Sequence, residues 1–291
     1  MEVGICLPYM EREFGRKEIL DWCRRIDAGP WSSLSCGERI TGYTLEMRVM
    51  LSAAAAVTER VRIMPSLYVL PMHSAVWAAK EVATLDVISG GRVTLCVGVG
   101  GREIDYRSVE ASFERRHLRM DAQIATMRRV WGGEPPIDGA DEVGPRPVQP
   151  GGPPILAGAM GPKAIARAAQ WADGIYCFSM GGNADEIHRT LDLADEAWRA
   201  AGRHAPPRKV GGFWYSLDDD AENSLKAYVH RYLAVFGDSA ARAIARTMTR
   251  FDVDSVRESI DAMQAAGCDE VVLSPCTAGI VEIERAAVLI G

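Results

Sequence analysis

Eight short apolar runs, each bounded by Gly, Pro or polar residues, alternate with helix-like stretches along this chain and constrain its architecture more than any other feature. They span residues 3–7, 31–36, 61–69, 93–97, 154–158, 174–178, 210–215 and 270–274. A parallel strand buried on both faces is apolar throughout, and it needs a helical crossover before the next strand can pair with it. Alternation of this kind therefore predicts βα units around a parallel sheet. Between the runs, apolar residues recur every three or four positions, as in Phe113, Met120, Ile124, Met127 and Trp131. Ile187, Leu191, Ala194 and Trp198 form a second stripe, and Val256, Ile260 and Met263 a third. Each is expected to pack on the sheet. Eight such units in 291 residues suit one closed (β/α)8 TIM barrel over residues 1–291, an α/β fold, although the period alone also admits an open doubly wound sheet.

Two segments exceed what a βα unit needs. Residues 132–154 are dense in proline and glycine and cannot form a regular element, so an ordered excursion or a linker is expected there. Residues 218–255 carry two helical patterns separated by Gly237, and an extra helix there would cover the barrel mouth.

Charge and composition exclude several function classes. A net charge of −6, with no dense Lys/Arg stripe, argues against a nucleic-acid partner. No run of about 18 apolar residues occurs and the first ten residues lack the pattern of a secretory signal, so no membrane association and a cytoplasmic location are expected. The seven cysteines lack CxxC spacing and read as reduced thiols, with Cys6, Cys96 and Cys177 as small buried hydrophobes. The five histidines show no ligand pairing, so no protein-bound metal is expected.

In a parallel barrel the loops leaving the carboxyl ends of the strands build the active site. That rule selects Glu38 and Arg39, residues 66–71, 98–103, 158–163, 179–182 and 274–277. Gly158, Met160, Gly161 and Lys163 form a glycine-rich turn opening a helix, and Ser179, Gly181 and Gly182 repeat the pattern one strand later. Free amides at such turns attract phosphate, and the same residues also serve as plain helix caps. Glu38 is the leading acid/base candidate, with Arg39 or Tyr43 as helper; the competing reading is a surface ion pair of Glu38 with Arg39. His73, just past the third run, is read as a hydrogen-bonded structural histidine.

Several segments in order carry a family resemblance: YVLP closing the third run, AAKEVATLD, the turn ISGGR, LCVGVGG followed by REIDY, the helix with RRHLRMD, and ILAGAMGPKAIARAAQWADGI. Together they resemble the luciferase-like monooxygenase superfamily from Leu51 to Ser179. The resemblance implies a (β/α)8 barrel with insertions and a flavin-type cofactor, the deazaflavin F420 or alternatively FMN, lying across the barrel mouth. It implies an oxidoreductase acting by hydride transfer or monooxygenation on a small-molecule substrate, a reductase supplying reduced cofactor, and a homodimer. It further implies a cis peptide at Ser66–Leu67 behind the cofactor ring, bare backbone at Gly98 and Gly100 beside it, and an acidic residue such as Glu103 near the substrate. CGER departs from the Asp or His that F420-dependent members place after the second strand, so no catalytic histidine is assigned and Glu38 takes that position. Two other classes remain open. A phosphosugar lyase or isomerase would share the phosphate loops but needs a Schiff-base lysine or a metal, and only Lys163 and Lys209 lie near strand ends. A relative that binds cofactor without turnover is the third.

Overall fold

The computed structural model describes residues 1–290; Gly291, the last residue of the expected domain, lies outside them. Eight parallel strands close on themselves in sequence order: β1 (Glu2–Cys6), β2 (Ser33–Cys36), β3 (Arg62–Tyr68), β4 (Leu95–Val97), β5 (Ile155–Gly158), β6 (Gly174–Phe178), β7 (Arg208–Tyr215) and β8 (Glu270–Pro275). The open-sheet alternative is thereby removed: β1 pairs with β8, with Val3 opposite Val271 and Ile5 opposite Leu273. All eight runs become strands. The fourth shortens because Val93 makes only an isolated bridge to Ile63, and the β3–β4 register shifts between Ser66 and Tyr68.

The helices are α1 (Arg16–Ala28), α2 (Met47–Val57), α3 (Ala75–Ser89), α4 (Glu103–Ser108), α5 (Arg116–Trp131), α6 (Pro162–Ala168), α7 (Ala184–Ala200), α8 (Ala221–Leu233), α9 (Asp238–Arg246), α10 (Val253–Ala265) and α11 (Val281–Ala287). The three apolar stripes face inward. Met120, Ile124, Met127 and Trp131 on α5, Ile187, Leu191, Ala194 and Trp198 on α7, and Val256, Ile260 and Met263 on α10 are all buried. Phe113 precedes α5 and packs edge-on against Tyr106, 5.2 Å between ring centroids, in a small cluster with Val69 and Met72. Caps follow the sequence: Asn183 accepts from the Glu186 amide at 3.1 Å, and Asp252 from the Ser255 amide at 2.8 Å. The turn ISGGR ends α3 at Gly90, whose φ of +67° is the left-handed conformation glycine adopts without cost. Residues 132–154 contain no helix or strand, and residues 218–255 contain α8 and α9. No helix among the described residues is long and apolar enough to cross a membrane.

The floor of the barrel, at the amino ends of the strands, is closed by charge. Glu270, fully buried at the start of β8, accepts from Ser32 at 2.7 Å, Ser33 at 2.6 Å, and Arg62 and Arg208 at 2.9 Å each. Glu2 pairs with the same two arginines. Arg92, from the ISGGR turn, donates to the carbonyls of Ala55, Thr58, Val61 and Ser89, holding the ends of α2 and α3 against the start of β3.

Candidate active site

At the opposite end the carboxyl termini of the strands open into a cavity of about 280 Å³. β3 supplies its base with Ser66 and Leu67, joined by a cis peptide as the resemblance implies. The side chain of Leu67 fills the space left by two glycines. A Cβ on Gly98 would lie 2.6 Å from Leu67 Cδ1, and one on Gly158 would lie 2.5 Å from it. The side chain of Ser66 points its Oγ into buried space with no hydrogen-bond partner.

Glu38, at the end of β2, reaches the cavity wall with its carboxylate only 3% exposed. Oε2 accepts from the Val69 amide at 2.6 Å and Oε1 lies 2.7 Å from Nε2 of His73. Nδ1 of His73 faces Arg48 Nη1 at 3.4 Å, so the tautomer that satisfies both contacts carries its proton on Nε2 and donates it to Glu38. Arg48 in turn pairs with Glu81, which accepts from the Tyr68 hydroxyl at 2.7 Å. The competing reading, a Glu38–Arg39 ion pair, is not formed, because Glu38 turns inward to this network while Arg39 Nε donates to the Thr41 carbonyl at 2.9 Å.

A second polar group faces the cavity from α4. Asp105 accepts from the Thr41 amide at 3.0 Å, from the Thr41 hydroxyl, and from Arg102 Nε at 3.0 Å. Burial pushes its carboxyl up, but these hydrogen bonds more than offset that and hold it below the ordinary aspartate value. Opposite lies an aromatic wall. Trp214 of β7 packs edge-on against Phe178 at 5.0 Å and Tyr232 at 4.9 Å, and Tyr228 lies 6.0 Å from Trp214. Tyr228 and Tyr232 stand one turn apart on α8 and Phe236 follows, so the extra helix of residues 218–255 forms one side of the cavity. Burial pushes the Tyr228 and Tyr232 hydroxyls and the Cys6 thiol up, the last to about 11, so none of these is an anion near neutrality.

A model of the luciferase-like monooxygenase family matches residues 1–282, essentially the whole barrel with this mouth. The chain belongs to that family. An uncharacterised protein of Mycobacterium tuberculosis is 33% identical over 175 residues, covering 57% of this chain and 61% of that protein. The chain thus covers less than two thirds of that relative's length. Among solved structures, an F420-dependent secondary alcohol dehydrogenase matches all of this chain and 99% of its own at 17% identity, with a TM-score of 0.78. The oxygenating constituent of a diketocamphane monooxygenase from Pseudomonas putida, solved with FMN, covers 99% of this chain and 94% of its own at 17% identity and a TM-score of 0.71. Both likenesses are of fold.

Within this luciferase-like barrel the residues expected at the site separate into three groups. Glu38, Ser66, Leu67, Gly100 and Met160 line the cavity together. Ser179, Gly181 and Gly182 line a neighbouring cleft of about 670 Å³ with Arg250 and Ser259, and Met180 borders both spaces. Ser179 Oγ is already engaged there, donating to Glu186 at 2.9 Å and accepting from the Asn183 amide at 2.8 Å. The remainder need correction. Glu103 is exposed in the first turn of α4 and does not reach the cavity; two residues on, about 200° around the helix, Asp105 takes the inward position. Gly98 and Gly158 make room for Leu67 and leave no bare backbone for a ring. Gly161 and Lys163 sit outside the cavity, with Lys163 exposed. Arg39 lies beside it, its guanidinium carbon 5.8 Å from the centre of the Tyr232 ring. Tyr43, the other proposed helper, is exposed and stacks under Arg12 at 4.8 Å. Sequence reasoning missed His73 as the partner of Glu38 and missed the aromatic wall. The i, i+4 spacing of Tyr228 and Tyr232 was the available signal for the latter.

Proposed function

We propose that this protein is an F420-dependent oxidoreductase that moves hydride to or from a small organic substrate, with Glu38 handling the substrate's proton. One observation carries the reading: a carboxylate, fixed by the Val69 amide and by His73, on the wall of a cavity that is largely apolar and aromatic apart from the Arg102–Asp105 pair. The family supplies the redox frame, and the fold neighbours include an F420-dependent dehydrogenase.

The residues present fit such a cofactor. Ser66 Oγ is buried beside the Tyr176 hydroxyl without a well-formed hydrogen bond, a polar atom that a heterocycle's edge would satisfy. Gly100, at φ +59°, and Gly101 also line the cavity, Gly100 packed beside Val69 and Gly101 beside Phe236. In the adjoining cleft, Arg250 Nε is buried without a partner beside Gly182, a donor that an anionic tail would satisfy alongside the carboxylates of Asp185, Glu186 and Glu258. Ser66, Leu67, Gly100 and Met160 would hold the ring, and Gly181, Gly182 and Arg250 the phosphate, with Ser179 bracing that loop through Glu186 and Asn183. When bound, the deazaflavin supplies a two-electron hydride acceptor or donor; the protein's part is to bind, orient and exclude water.

Glu38 accepts one hydrogen bond on each oxygen and keeps lone pairs free toward the cavity, so it can take the proton of a substrate hydroxyl as the neighbouring C–H is oxidised. Neutral His73 donates to the carboxylate and fixes its orientation. In the reverse direction the protonated acid returns the proton to the carbonyl oxygen. Steady-state kinetics of Glu38→Gln test this role: turnover falls by about a hundredfold or more while F420 affinity stays within about twofold. Undiminished turnover would remove Glu38 from the chemistry.

A further inference from the structure

The least satisfied charge in the cavity is a guanidinium. Arg102 donates from Nε to Asp105 at 3.0 Å and from Nη2 to Thr41 Oγ1 at 2.7 Å, while Nη1 is buried with no partner at all. A buried donor without an acceptor is destabilising, and more so on a charged group. Arg39 stands beside it. Its Nε donates to the carbonyl of Thr41, the residue whose hydroxyl accepts from Arg102, so one threonine ties Arg102 on the cavity wall to Arg39 in the adjoining cleft. Burial, and after it the charge of Arg102, lower the proton affinity of Arg39. Asp105 offsets only one of the two positive charges. The other carboxylate on the wall, Glu38, faces Val69 and His73.

We infer that Arg102 and Arg39 form a receptor for an anionic group, and that it serves a substrate bearing a carboxylate next to an apolar or aromatic body. This deepens, and rests on, the reading of the cavity as an oxidoreductase active site. A guanidinium fork matches a planar carboxylate, and the free Nη1 of Arg102 supplies the missing half of such a contact. The body would lie against Phe178, Trp214, Tyr228 and Tyr232, which supply a largely aromatic surface. Glu38 and Arg39 are consecutive and Thr41 follows, so one loop presents both the proton acceptor and the anion receptor. A hydroxy or oxo acid, with its carboxylate at the arginines and its oxygen toward Glu38, uses both.

The anion bound here has a second source, the phosphate of the cofactor, and the test separates the two. Calorimetric titration of the full chain without cofactor would compare phenylacetate with its neutral isostere phenylacetamide, alongside F420 binding followed by fluorescence. The expected result is at least tenfold tighter binding of phenylacetate, lost in Arg102→Met, weakened in Arg39→Met and partly restored in Arg102→Lys, with F420 affinity unchanged in all three. Equal binding of the two probes, or failure of both to bind, overturns the inference. Loss of F420 affinity in Arg102→Met with the phenylacetate preference intact also overturns it, by assigning the anion to the cofactor. Phenylacetate preference without F420 binding would uphold the receptor while refuting the cofactor assignment, so the two failures are distinguishable. Thermal melts check that each variant is folded; if Arg102→Met is not, Arg39→Met and Arg102→Lys decide the matter.

Discussion

The two ends of the barrel treat charge in opposite ways. At the floor, the fully buried Glu270 receives four donors, and Arg92 spends its guanidinium on the carbonyls that end two helices. Arg62 Nε and Trp31 Nε1 are exceptions there. At the mouth, Ser66 Oγ, Arg102 Nη1 and Arg250 Nε are buried and without a hydrogen bond, and Glu38 lines the cavity. Unsatisfied polar groups are destabilising, so they persist where something other than stability is served. The floor reads as architecture and the mouth as a receptor for a ligand with polar edges.

That contrast can be broken most forcefully at the floor. Replacing Glu270 with Ala strands Arg62 and Arg208 around a buried void and should cost about 3–5 kcal/mol in urea denaturation, with F420 affinity unchanged. At the mouth, the substitution of Glu38 by Gln should behave inversely, lowering turnover by about a hundredfold while changing stability by only about 1 kcal/mol. A mouth variant as destabilising as the floor variant would erase the distinction. Gly98→Ala links the regions, because the new methyl must displace Leu67 toward the cavity. Overpacking should cost about 1–3 kcal/mol and weaken ligand binding as well.

Glu282 sharpens the comparison through pH. It is buried at the start of α11, where Ser216 Oγ donates at 2.7 Å, the Leu217 amide at 2.6 Å and Thr277 Oγ1 at 2.9 Å. Burial outweighs those bonds and pushes its pKa up from 4.5 to about 7. A folded-state value above the unfolded one means that the folded protein holds the proton longer. Its contribution is therefore full below the ordinary value and is lost as pH rises through about 7. Denaturation midpoints across that window should fall, and Glu282→Gln should flatten the decline. The smallest effect is expected at Glu103: Ala there should leave turnover and stability, to within about 0.5 kcal/mol, where they are.

The barrel was legible because burial on both faces imposes a coarse, repeated pattern, and a shift of one or two residues at the end of a run does not change it. The site was legible only where a backbone rule applied. Position at a strand's carboxyl end picked out Glu38, Ser66, Leu67, Gly100 and Met160. It failed for Glu103, where a helix begins and the inward side falls to Asp105. It failed again at Gly98 and Gly158, since a missing side chain equally serves a ligand or a neighbouring leucine, and local sequence carries no sign of which. The His73–Glu38 contact joins residues 35 apart, and the α8 aromatics come from an insertion whose direction the strand pattern does not set.

The mouth's role as a cofactor receptor is tested most directly by titrating the purified protein with F420 and, separately, with FMN. Saturation by one F420 per chain, with FMN bound more weakly, is the predicted result. Stoichiometric FMN binding with none of F420 would contradict the hydride-transfer assignment, and failure to bind either would contradict the reading of the mouth itself.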